Sequence, residues 1–73
     1  REIGLLLESA DGQIVAIEIK AAGALEPRDA RHLAWLRDQL GDTFHRGLIL
    51  HTGATTYPLS ERIWATPIAA LWQ

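Results

Sequence analysis

The sequence predicts a small α/β domain built on a mixed sheet: a β-hairpin, one crossover helix, then two further strands. Three observations carry this. Two β-rich runs flank an Asp-Gly turn signal, a helical repeat lies between Pro27 and Gly41, and strand-like runs occupy residues 46–52 and 62–66. With 73 residues the chain has room for one domain over 1–73. A chain of that size buries only about 60% of its unfolded surface, so its core is thin.

The hairpin comes first. Residues 3–8 (IGLLLE) and 14–20 (IVAIEIK) are separated by SADGQ. A three-residue loop, Ala10-Asp11-Gly12, places Gly12 in the left-handed region that glycine enters most easily. Paired positions then sum to 22. Ile3, Leu5 and Leu7 stand beside Ile19, Ile17 and Val15 on one wholly apolar face. The other face sets Glu2 across from Lys20, Gly4 across from Glu18, and Leu6 across from Ala16. A two-residue loop would mismatch the faces, and such matching is what fixes register.

The helix and the later strands follow. Pro27 suits a first helical turn, where no N–H is needed, and Glu26 and Asp29 complement the dipole there. Ala30, Leu33, Leu36 and Leu40 recur at helical spacing, and Gly41 closes the helix. Strand, helix, strand in this order implies a right-handed crossover, with the strand at 46–52 parallel to that at 14–20. Thr52-Gly53 opens a loop, 62–66 reads as a short strand, and Pro67 starts a terminal helical turn ending at Trp72.

Composition excludes several classes. Net charge is −2, without the basic excess of a dedicated nucleic-acid-binding module. Cysteine is absent, which removes disulfide scaffolds and cysteine-ligated zinc. No apolar stretch approaches the roughly 18 residues of a membrane span. The expected setting is the cytoplasm, with no membrane partner. Methionine is absent too, and the chain opens at Arg1 directly before a strand, as expected of a piece of a longer protein.

The chemistry concentrates on the hairpin. Glu18 and Lys20 lie two apart on one strand and share a face. A phosphodiesterase site of this kind needs Mg²⁺ on carboxylate oxygens and a cation beside it. Glu18 would be a ligand and Lys20 the cation; the position opposite Glu18 is Gly4, which brings no oxygen, and Glu2 and Glu8 share the face but lie two positions or more from that spot. The competing reading is a Glu2–Lys20–Glu18 surface cluster, worth about 0–1 kcal/mol per exposed pair. On the helix, Arg28, His32, Trp35 and Gln39 fall on one flank, which could contact phosphates and bases but reads first as solvated surface. His32, His45 and His51 share no element face, so they make no zinc site; His51 is of interest because its strand neighbours that of Glu18. GATT is not followed by a P-loop Gly-Lys-Ser/Thr. Trp64 and Trp72 are expected to cover the core.

Three stretches, REIGLLLE…GQIVAIEIKAA, LAWLRDQLGDTFHRGLILHTG and YPLSERIWATPIAALW, together resemble a carboxy-terminal domain of unknown function of bacterial and archaeal AAA-type ATP-binding proteins. That family is itself similar to PD-(D/E)xK nucleases, whose motif is an aspartate on the first strand and ExK on the second. The resemblance implies a restriction-endonuclease-like core fragment at the C-terminal end of an ATPase chain, with ATP bound before Arg1. It matches Glu18 and Lys20 to ExK and Glu2 to the first acid, while the aspartate falls at Gly4. The expectation is therefore a non-catalytic nuclease-like domain, with Glu18 and Lys20 as a degenerate motif and no cofactor of its own. Its expected roles are packing on the rest of the ATPase chain, partner contact or DNA contact. The alternatives are a Mg²⁺-dependent DNA nuclease using Glu18 and Lys20 with Glu2 or Glu8 as the substitute acid, and a homo-oligomerisation module built on an exposed sheet edge.

Overall fold

The computed structural model describes the backbone of residues 2–72 and the side chains of residues 4–72. Strands β1 (Glu2–Glu8) and β2 (Ile14–Lys20) form the hairpin. A 3₁₀ turn, Pro27–Ala30, leads into helix α1 (Arg31–Leu40). A further 3₁₀ turn, Gly41–Thr43, runs directly into β3 (Phe44–His51). Then come β4 (Tyr57–Ser60), β5 (Ile63–Pro67) and a closing 3₁₀ turn, Ile68–Trp72. The sheet has five strands in the order β1-β2-β3-β5-β4. β2, β3 and β5 run parallel, while β1 and β4 are antiparallel edges.

The hairpin register is the one that face matching demands, from Glu2 opposite Lys20 to Glu8 opposite Ile14. Gly12 closes the loop at φ 85°, where a residue with a Cβ would be strained. The Ser9 amide donates to the Gln13 carbonyl, and Asp11 accepts from the Ser9 hydroxyl, so the turn is tied locally. The expected crossover is present, with β3 parallel to β2 and Gly41 at the helix C-cap with φ 56°.

Two expectations about the sheet need correction. Three strands follow the helix, not two, because residues 57–60 pair as β4. Pro58 hides this strand from sequence reading, since proline cannot donate to a ladder. It is tolerated here because β4 is an edge, with a register break between Pro58 and Ser60.

The second correction concerns the reading of Glu18 and Lys20 as part of a surface cluster. α1 packs on the face of Ala16, Gly47 and Ile63: a Cβ on Gly47 would sit 3.1 Å from Leu33 and 3.2 Å from Ile63. The core is Ala16, Leu25, Ala30, Leu33, Phe44, Ile49, Leu59, Ile63 and Ala65. By strand alternation Glu18 and Lys20 belong to this covered face. The wholly apolar face points the other way, and Leu5 and Leu7 remain 55% and 48% exposed. One helix covers one side of the sheet, and the side it chose carries the charges of the hairpin.

Candidate functional site

Glu18 is not part of a surface cluster. It sits at the centre of β2, opposite Gly4 on β1 and Ile49 on β3, and is 7% exposed. A carboxylate taken this far from water is retained only where charge or hydrogen bonding compensates it. Two residues on, Lys20 reaches across to the start of the helix, with Nζ 3.3 Å from Asp29 Oδ1. The side chains of this pair are 12% and 25% exposed, so solvent screens it less than a surface pair.

Asp29 also holds the helix entry. Its Oδ2 accepts a 2.7 Å hydrogen bond from the Glu26 amide, one half of a capping box. That amide is the main reason the Asp29 carboxyl is held below the usual aspartate range; burial opposes the shift, and Lys20 adds to it. Sequence reading placed Asp29 in the first turn as a dipole partner and missed Lys20. The signal was the short segment from 21 to 26, which returns the chain from the C-terminal end of β2 onto the helix start. Glu2 lies opposite Lys20 by backbone register, but its side chain lies outside the described residues.

Gly4 brings no side chain to this strand pair. It pairs directly with Glu18, and a Cβ built on it would meet nothing within 4 Å. The space for a carboxylate exists, and the side chain does not. Among the described residues no group of three histidine or acidic side chains converges to hold a metal ion.

His51 turns out to be an anchor of the β3–β4 loop. It is 1% exposed; Nδ1 accepts from the Gly53 amide at 2.9 Å, and Nε2 is 2.9 Å from the Thr55 carbonyl. The amide can only donate, so the ring proton is on Nε2 and points at Thr55. Both ring nitrogens are spent on the loop, which leaves none for a metal or substrate. Gly53 is required beside it, because a Cβ there would stand 2.1 Å from the Gly23 carbonyl oxygen. The two loops at this end of the sheet are also joined by the Thr52 amide donating to Ala22.

Arg28, His32, Trp35 and Gln39 are all exposed, in keeping with a solvated flank. Trp64 and Trp72 do not cover the core. They are 38% and 77% exposed, because Trp64 pairs with Leu48 on the face that α1 does not reach and Trp72 lies in the last turn.

Neither a curated protein nor a solved structure matches the chain. A family profile does match, over residues 1–71, nearly the whole length. The sheet, its single helix and the Glu18–Lys20 strand are thus the described architecture of a member of a recognised group, and the chain belongs to the domain of unknown function family DUF4143.

Proposed function

We propose that this is a nuclease-like domain that has lost its metal chemistry, borne at the C-terminal end of an AAA-type ATPase chain, and that it works by packing and partner contact. One observation carries the reading: Gly4 stands in register with Glu18, where the nuclease pattern needs an aspartate. Two more support it. Lys20, the cation of that pattern, is engaged with Asp29 at the helix start. Large apolar side chains, Leu5, Leu6, Leu7 and Trp64 among them, remain exposed, as on surfaces built to meet another surface. The ATPase context rests on the sequence resemblance.

The test is a DNA-cleavage assay in Mg²⁺ and in Mn²⁺, alongside metal titration by calorimetry. The expected result is neither cleavage nor saturable binding. Metal-dependent cleavage that Glu18→Gln abolishes would sink the proposal and establish the nuclease alternative. The complementary variant is Gly4→Asp. It places two carboxylates opposite one another, so the melting temperature should fall without metal and recover on adding Mg²⁺.

A further inference from the structure

The face of the sheet opposite α1 is mostly apolar and only partly covered. β1 and β2 present Leu5, Leu7, Val15, Ile17 and Ile19 there, and β3 continues it with Leu48. None of these six is buried: Leu5 and Leu7 are about half exposed, the others intermediate. Leu50, farther along β3 on the same side, is buried yet stands outside the main core cluster. A sheet in this architecture gains stability by covering both faces.

Arg46 says what kind of layer belongs there. It pairs with Val15, so it lies on this face at the β2–β3 register break, and it is exposed. Among the described residues it makes no hydrogen bond or ion pair. The strand positions of this face contain no Asp or Glu. A second copy stacked face to face would set two guanidinium groups against strand positions that carry no carboxylate, and burying them there is costly. A partner that fits must bring an apolar stripe and its own carboxylate.

We propose that this face docks an amphipathic α-helix carrying an acidic side chain that pairs with Arg46. Seven-residue strands span about 23 Å, which a helix of about 15 residues matches. Its residues at i, i+3, i+4 and i+7 would rest on Leu5, Leu7 and Ile17. The inference deepens the partner-contact reading by naming the partner's chemistry, and it does not depend on whether the metal chemistry is lost.

The experiment is photo-crosslinking in the intact protein in its native cells, with a photoreactive amino acid at position 5 and mass spectrometry of the product. Leu5 is exposed enough to take the substitution, and circular dichroism checks the fold. The expected product joins position 5 to a segment with apolar residues at helical spacing and an Asp or Glu on its flank. Arg46→Glu should lower its yield about tenfold, and Arg46→Lys should keep it. The same probe at Trp35, on the outer flank of α1, should not capture that segment. Crosslinking to the same face of a second copy, to a segment without helical spacing, or to nothing overturns the proposal. DNA cleavage by the protein would overturn the functional reading and leave this one standing, so the two failures are distinguishable.

Discussion

Asp29 joins two functions that the sequence keeps apart. It caps the turn before α1 and holds the ammonium of Lys20. Its carboxyl is held below the usual range, chiefly by the Glu26 amide. A depressed folded-state value means the contribution is complete above the unfolded pKa, about 3.9, and is lost as pH falls through the folded one. Acid titration followed by circular dichroism should therefore show Asp29→Asn with a shallower loss of stability below about pH 4 than the parent. At neutral pH the variant should cost about 1 kcal/mol in urea unfolding, since the pair is lost while the amide oxygen still accepts from Glu26. Gly53→Ala tests the loops: its methyl cannot coexist with the Gly23 carbonyl at 2.1 Å, so a loss of about 1–3 kcal/mol is expected. His51→Ala removes both hydrogen bonds of the β3–β4 loop and leaves a cavity. It should be at least as damaging by the same measurement.

Among the elements, α1 is a ten-residue helix, too short to persist in water without tertiary support. Leu33 supplies the apolar contact, and Arg37 ties the other end. Its Nη1 donates to the Ser60 hydroxyl at 2.8 Å and to the Glu61 carbonyl at 2.9 Å, while the side chain is only 14% exposed. The helix is thereby fastened to the β4–β5 turn, and Arg37→Ala should cost about 1–3 kcal/mol in chemical denaturation. That turn is pinned again from its far side. Arg62 adopts φ 62°, a region side chains avoid, and donates to the carbonyls of Phe44 and Gly41. Its guanidinium also lies over the Phe44 ring, 5.6 Å from the centroid. These arginines look like surface charge in the sequence, and only the folded chain gives them carbonyls to hold. β4 was missed for a related reason: a four-residue strand with a proline is recognisable only beside the strand it pairs with.

For the whole molecule, the consequence of one helix on a five-stranded sheet is two unlike sides. The isolated chain should bind a dye such as ANS through the uncovered side. Leu5→Glu should reduce that fluorescence while leaving the melting temperature nearly unchanged, because Leu5 is outside the core. The edges are unlike too. β4 is short, broken and carries proline, whereas β1 has seven residues with no proline or internal charge between Glu2 and Glu8. That asymmetry leaves β1, with Leu5, Leu6 and Leu7 all exposed, as the more apolar of the two edges.

The sequence by itself determined the hairpin register, the crossover, the closure of the helix at Gly41, and the place of Gly4 opposite Glu18. All of these are local, set by turn chemistry, period-two matching and capping. The tertiary structure alone decided which face the helix covers. The larger apolar side chains lie on the side of Leu5, Val15 and Ile17, whereas α1 settled on the side of Ala16, Gly47 and Ile63, where small residues and Gly47 admit Leu33 and Phe44 at close range. The physical reason is packing space, which depends on residues distant in the chain and which hydrophobicity along one strand does not record. That choice buried Glu18, gave Lys20 its partner in Asp29, and left the more apolar face open.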